Sequence, residues 1–435
     1  MRRLWVFLLL VGLFLVAVAD DAVAQGPHVD VLKVDGAITP VLASYIERGI
    51  AHAEGHGAIA CVIELDTPGG LDTAMRDIVQ AILEADVPVV VYVPPGGRAA
   101  SAGAFITLAA HVAAMAPATE IGAAHPVAIG EDGMDETMEA KVVNDAVAYI
   151  RSIADTRGRD ADIAEAMVRE SASLSAQDAL DEGVIDVIAS GVEDLLQQID
   201  GWQVALLDGE VVTLETAGVP TSDVGMGAME RFLSIISDPN IAYILLSVGM
   251  LGIMVELFNP GLIFPGVVGA ISLLLSFYAL GMLPVNYAGI ILIVIAFALF
   301  IAEVFVTSHG LLAVGGIASL TIGSVILMSS PLFRISPAVI AVVVIAVTAF
   351  FTIVVAAIVR THRRPQQTGR EGMVGKVAVA RTPLDPTGTV FIHGERWEAT
   401  VDEGRVEPGE EVVVTQIEGL ALRVARKQSE GGEGT

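Results

Sequence analysis

The chain has 435 residues but one cysteine, Cys61, so an internal disulfide is excluded. Its thiol lies inside an apolar run and reads as buried packing. Lysine is almost as scarce: Lys33, Lys141, Lys376 and Lys427 are the only four. No group of His, Cys and Asp has the spacing of metal ligands, so neither a metal nor any other cofactor is expected. Positive charge is short everywhere. The formal net charge is −27, and between Asp30 and Glu230 only 9 Lys and Arg face 34 Asp and Glu. Such a surface argues against nucleic acid as a partner and reads as a device for solubility. A Ser-His-Asp set is also missing. His111 and His125 can line a site, but neither has a carboxylate to orient it, and both read first as structural.

What the chain does have is apolar residues, 54% of the total. Arg2 and Arg3, the apolar run Leu4–Val18 and Ala22-Val23-Ala24 form the three parts of a secretory signal peptide, residues 1–24. The chain beyond Gln25 is then expected outside the cytoplasm. From residue 28 to 207 short apolar strands (Val29–Val34, Ala58–Leu65, Val87–Val93) alternate with helical spacing over Pro40–Glu54 and Leu71–Glu84. Strands apolar throughout mean a parallel sheet covered on both faces, an α/β domain.

The stretch Val89–Thr107 organises that domain. A buried strand leads through a Pro-Gly turn to Ser101, set among Ala99, Ala100, Ala102 and Gly103 at the start of an apolar helix. Two readings are open: an ordinary N-cap serine, or a nucleophile with room for a substrate backbone. Upstream, Asp66-Thr67-Pro68-Gly69-Gly70 ends a parallel strand. It is either a tight turn or a source of backbone amides for an oxyanion. Downstream, Thr119–Val127 reads as a wall near the site, and Gly130–Glu139 as an acidic loop. Lys141 then opens a helix. A lysine in a chain that prefers arginine marks either a surface position or a need for a group that can lose its proton.

Four motifs occur in one order: TPGG (Thr67–Gly70), ASAG (Ala100–Gly103), MAPATEIGAAHP (Met115–Pro126) and SAQDALDEGVID (Ser175–Asp186). Together they resemble the Clp-protease (ClpP)/crotonase superfamily. Within it the chain resembles the long form of the NfeD family, membrane-bound Ser-Lys proteases related to signal peptide peptidase A. The resemblance implies Ser101 as nucleophile and Lys141 as general base. It implies the Gly70 and Ala102 amides as oxyanion hole, with Gly69, Ile121, Gly122 and His125 lining the substrate path. It further implies a ClpP/crotonase-like fold, peptide substrates with apolar segments, a stomatin- or prohibitin-like membrane protein as partner, and a possible homodimer of the protease domain. Arg98 is a conceivable cation for keeping Lys141 neutral.

After an expected linker or interfacial helix over 222–240, five apolar runs lie between 241 and 359, each about long enough to cross a bilayer in contact with its lipid. Glu256 and Glu303 lie near run ends, which suits an interface better than a proton path. Arg360, Arg363 and Arg364 come directly after the last run and mark the cytoplasmic side. This gives a multi-pass plasma-membrane protein with the protease domain outside. Residues 372–427 carry five short strand patterns, an OB-like small all-β barrel expected inside the cell. Its 8 basic and 12 acidic residues from Arg370 onward again argue against nucleic acid. Residues 428–435 read as a disordered tail. The expected function is a membrane-anchored serine endopeptidase. The alternatives are a non-enzymatic scaffold for stomatin-like proteins and, less well fitted, an acyl-CoA enzyme.

Overall fold

The computed structural model describes residues 26–127, 136–207, 209–306, 308–328, 330–362 and 370–427. The expected signal peptide, most of the acidic loop, Arg363, Arg364 and the expected tail lie outside the described residues.

The first elements are β1 (Val29–Asp35), α1 (Pro40–His56), β2 (Ala60–Asp66), α2 (Asp72–Glu84), β3 (Val89–Val93), β4 (Arg98–Ala100), α3 (Ala102–Ala109), β5 (Val112–Met115) and β6 (Glu120–Gly122). Then come α4 (Glu136–Arg157), α5 (Ala161–Arg169), β7 (Ser173–Ser175), α6 (Ala176–Asp181), β8 (Val187–Ile188) and α7 (Val192–Gln198). The strands β9 (Gln203–Ala205), β10 (Val211–Thr213) and β11 (Thr221–Asp223) complete this part. Six strands form one sheet in the order β11-β1-β2-β3-β5-β8, every pair parallel. Alternate residues serve opposite faces. Leu32, Ile63 and Val91 pack with Ile46 of α1, Ile78 of α2 and Phe105 of α3. Val31, Val62, Val90 and Tyr92 pack with Leu195 and Leu196 of α7. Cys61 is fully buried on the first face, and burial pushes its thiol well above its usual range.

Two differences from the sequence reading bear on the site. Three residues between the Pro-Gly turn and Ser101 form β4. With β6 and β7 it builds a second small sheet, where Arg98, Ala99 and Ala100 register with Glu120, Ile121 and Gly122. A three-residue strand has no periodicity to read; its partner 22 residues away creates it. The outer sheet also runs past residue 207, because Thr221–Asp223 pairs with β1. Within the expected linker, helix α8 (Ala228–Ile236) starts only after that strand.

The next helices are α9 (Pro239–Phe258), α10 (Phe264–Gly281), α11 (Tyr287–Phe305), α12 (Leu311–Ile326) and α13 (Pro337–His362). Four are long and apolar enough to cross a membrane, and α12 has 16 residues. Glycines let α9 and α10 touch backbone to backbone: a Cβ on Gly252 would lie 2.6 Å from the Pro265 carbonyl oxygen. Both acidic groups accept from backbone amides of the turns that follow their helices. Glu303 accepts from the Gly310 and Ala313 amides, each at 3.0 Å, and Glu256 from that of Gly261 at 3.2 Å.

The C-terminal unit carries β12 (Val377–Ala380), β13 (Thr387–Ile392), β14 (Glu395–Val401), β15 (Glu411–Glu418) and β16 (Ala421–Arg426). They close into a barrel of order β12-β13-β14-β16-β15 around Ala378, Val390, Val401, Val412 and Leu422. Arg405, Arg423, Arg426 and Lys427 all pair with carboxylates on its surface. A phosphate backbone would have to break those pairs.

Candidate active site

Ser101 joins β4 to α3 with φ 53° and ψ −113°. A non-glycine residue held there stores on the order of 1–3 kcal/mol of strain, which persists only where the surroundings impose it. They do so from both sides. The Ser101 N–H donates to the Gly122 carbonyl at 2.8 Å, and its own carbonyl accepts from Ala104 N at 3.0 Å. An N-cap serine would accept from an amide of the first helical turn. The Ser101 side chain does not. Among the described residues its hydroxyl has no partner and remains free for chemistry.

The glycine turn is built against this hydroxyl. Gly69 adopts φ +116°, and a Cβ placed on it would meet the Ser101 Cβ at 2.7 Å and Oγ at 3.1 Å. The buried Thr67 fixes the turn: its hydroxyl donates to the Gly69 carbonyl at 3.1 Å and accepts from the Gly69 amide at 3.0 Å. Ile38 then bridges Gly70, donating to Gly69 O at 2.8 Å and accepting from Leu71 N at 2.9 Å. That parallel bridge turns the Gly70 amide to the other side. The Ala102 amide is the first of α3 and has no partner within the helix. Among the described residues neither amide has an acceptor. A free hydroxyl beside two unused amides is the apparatus of acyl transfer.

Gly69→Ala tests the turn directly. The added methyl must displace Ser101 or the loop by a sizeable fraction of an ångström. We expect kcat to fall about 10²-fold, with KM little changed, because small misplacement of reacting groups costs that much. Unaltered kcat would show that the turn does not position the serine.

All eight residues of α3 are buried. Its C-terminal carbonyls are taken by two arginines. Arg159 Nη1 donates to Leu108 O at 2.7 Å and Ala110 O at 2.9 Å, and Arg157 Nε to Ala109 O at 2.7 Å. Arg159 is 6% exposed and pairs through Nη2 with Asp186 at 2.6 Å. Neither Thr67 nor these arginines stood out in the sequence. Thr67 lies inside a recognised motif, but the acceptors of Arg159 are about fifty residues from it, and no local pattern announces them.

His111 is structural. Its Nδ1 accepts from Val89 N at 3.1 Å, and burial, reinforced by Arg157 and Arg159, pushes its pKa down to about 3 from 6.5. The unfolded imidazole takes up a proton near pH 6.5 and the folded one does not. Stability therefore decreases as pH falls from about 6.5 towards 3, by up to about 1.4 kcal/mol per pH unit. Urea midpoints at pH 7 and pH 4.5 should converge in His111→Asn, which keeps an acceptor for Val89. An unchanged pH slope would contradict the assignment.

Lys141 lies on the second turn of α4 and is exposed. Among the described residues its ammonium has no ion pair, and no hydrogen bond joins it to Ser101. Helix α4 is nevertheless locked to α3 in the same chain direction: Phe105 stacks on Tyr149 at 6.0 Å, and Ala109 meets Arg157. One turn before Phe105 lies Ser101, and the turns before Tyr149 carry Asp145 and then Lys141. Asp145 is itself fixed by Arg76 at 2.6 Å, which also binds Asp72 and covers the Tyr149 ring. The Arg98 backbone amide is held by Asp66 at 3.0 Å, and its side chain is exposed. In the wall, Ile121 is buried and Gly122, at φ +132°, packs on the Ala172 carbonyl. His125 is tied by Nδ1 to Val168 O at 2.8 Å.

Comparison with known proteins covers the chain from end to end. Residues 28–195 match the N-terminal domain of NfeD1b, residues 240–359 the NfeD integral membrane domain, and residues 370–426 the NfeD-like C-terminal, partner-binding domain. The membrane-bound protease PH1510 of Pyrococcus horikoshii is 37% identical over 446 residues, covering 100% of both chains. The membrane protein NfeD1b of Bacillus subtilis is 28% identical over 95% of this chain and 97% of its own. A solved structure, the 1510-N membrane protease of Pyrococcus horikoshii specific for a stomatin homologue, is 37% identical. It covers 49% of this chain and 100% of its own, with a TM-score of 0.43. With identity of this level held along the full length of a membrane-bound protease, this protein belongs to the NfeD family.

Proposed function

We propose that this chain is a membrane-anchored serine endopeptidase in which Ser101 is the nucleophile and Lys141 the general base. The observation that carries the reading is the strained Ser101, its hydroxyl unbonded and flanked by the unused Gly70 and Ala102 amides. Lys141 in its neutral form takes the hydroxyl proton as Oγ attacks a peptide carbonyl. The two amides hold the oxyanion. The ammonium then protonates the leaving amine, and Lys141 activates water for deacylation.

Lys141 is exposed, so its amine has to lose its surrounding water before it can act. An apolar peptide laid over the site does this, which couples substrate choice to catalysis. The relative specific for a stomatin homologue supports apolar segments of stomatin- or prohibitin-like membrane proteins as substrates. The match to a partner-binding domain supports such a protein as partner of the barrel. Gly69, Ile121, Gly122 and His125 line the peptide's path in this reading. The protease domain acts outside the cytoplasm and is able to pair as a homodimer, with the barrel cytoplasmic. Helix α8 lies in the lipid interface: Met229, Phe232 and Ile235 form an exposed apolar stripe next to the first span. Arg48 ties it to α1 through Glu230 at 2.6 Å.

Cleavage of an apolar peptide by the full-length protein, wild type against Ser101→Ala and Lys141→Ala, tests the reading. Loss in both variants supports it. Equal cleavage by all three forms rejects the dyad, and cleavage by none, wild type included, favours the membrane scaffold.

A further inference from the structure

Between Arg231 and Arg360 the sequence holds a single Lys or Arg, Arg334. It comes after the short turn Pro331–Phe333 in the segment joining α12 to α13. That segment is firmly held. Ser336 N donates to Asn240 Oδ1 at 2.8 Å, and Phe333 and Ile335 are buried. Arg334 itself is exposed, and among the described residues it has no ion-pair partner. Beside it the second half of α12 and the first half of α13 enclose a groove of about 830 Å³, lined by Thr321, Val325, Met328, Arg334, Ile340 and Ile345 among others. The Thr321 hydroxyl is already committed to the Ile317 carbonyl at 2.8 Å. Arg334 is therefore the one uncommitted polar side chain of an otherwise apolar groove. Val325 on α12 and Ile345 on α13 are 63% and 67% exposed, and on apolar helices of an integral membrane domain that exposure is to lipid.

We propose that this groove is a binding site for one anionic phospholipid, with its phosphate on Arg334 and its hydrocarbon chain along Val325, Ile340 and Ile345. A guanidinium at the membrane boundary with no carboxylate within reach needs an anion, and phosphate matches its planar fork. The adjoining apolar walls need a chain. A single amphiphile with a negative head satisfies both, and a zwitterionic head offers the same phosphate with a competing cation beside it. An apolar peptide ending in a carboxylate has the same two features. The groove lies along the bilayer, however, where lipid is in vast excess, and mass action favours it.

The test uses the full-length protein reconstituted in nanodiscs of equal phosphatidylglycerol and phosphatidylcholine, then released into detergent with the retained lipid counted by native mass spectrometry. Wild type should retain phosphatidylglycerol over phosphatidylcholine by about tenfold, the ratio expected from one charge-assisted contact. Arg334→Gln should bring the ratio near unity, and Arg334→Lys should keep part of the preference. Ala341 also lines the groove, and Ala341→Trp fills it without touching the charge and should reduce retention of both lipids. Equal phosphatidylglycerol preference in wild type and Arg334→Gln overturns the proposal. Displacement of the lipid by glycerophosphate alone overturns it in favour of a simple phosphate site. Displacement by an apolar peptide, with a raised KM for that peptide in Arg334→Gln, overturns it in favour of substrate. Should Arg334→Gln lose the wild-type thermal transition, Arg334→Lys and Ala341→Trp decide the matter by the same ratios.

Discussion

Ser101→Ala and Lys141→Ala should each lower kcat for an apolar peptide by about 10³-fold or more, and the double variant should be scarcely worse than either. In the proposed dyad nucleophile and base act as a unit, so removing one leaves the other nothing to do. The Gly70 and Ala102 amides survive in every variant, and they should leave a small residual rate above water. Two further readouts separate this outcome from unfolding. KM should stay within a few-fold of wild type, because neither side chain supplies much ground-state binding. Lys141→Arg should be as inactive as Lys141→Ala, since a guanidinium does not deprotonate. Additive losses, or an active arginine variant, would mean that Lys141 is not the base.

The largest expected loss of stability comes from Arg159→Met. Arg159 is buried, closes the carbonyl end of α3 through Leu108 and Ala110, and neutralises Asp186. Methionine fills most of its volume but leaves the two buried carbonyls of Leu108 and Ala110 without that donor, whereas the Asp186 carboxylate, 33% exposed, keeps access to water. Leaving a buried carbonyl without its donor costs about 1–3 kcal/mol, and here two are left so. Asp186 also accepts from Ala113 N at 2.7 Å, so part of its charge remains bonded. The urea midpoint should drop accordingly. The companion variant Asp186→Asn, which removes charge but keeps hydrogen-bonding atoms, should cost clearly less. Equal small losses would show that the arginine packs without closing the helix.

Much of this protein was open to inspection in its sequence. The unbroken apolar strands, the apolar runs long enough for a membrane, and the punctuated short strands of the barrel are local patterns. Burial imposes them residue by residue, so the chain displays them before it folds. The Thr67–Gly70 and Ala100–Gly103 motifs pointed to the candidate serine and amides only through their resemblance to a protease family; the residues by themselves left an N-cap serine and a tight turn equally open. Tertiary structure alone decided three things. Whether the Ser101 hydroxyl caps the helix or stays unbonded depended on φ 53° and on the Gly122 carbonyl across the small sheet. The strand β4 existed only once Glu120–Gly122 lay beside it. The arginines that close α3 found their acceptors about fifty residues away. In each case the deciding contact joins segments distant in sequence. Its free energy appears only after the chain has paid the entropy of bringing them together, and no local spacing records that.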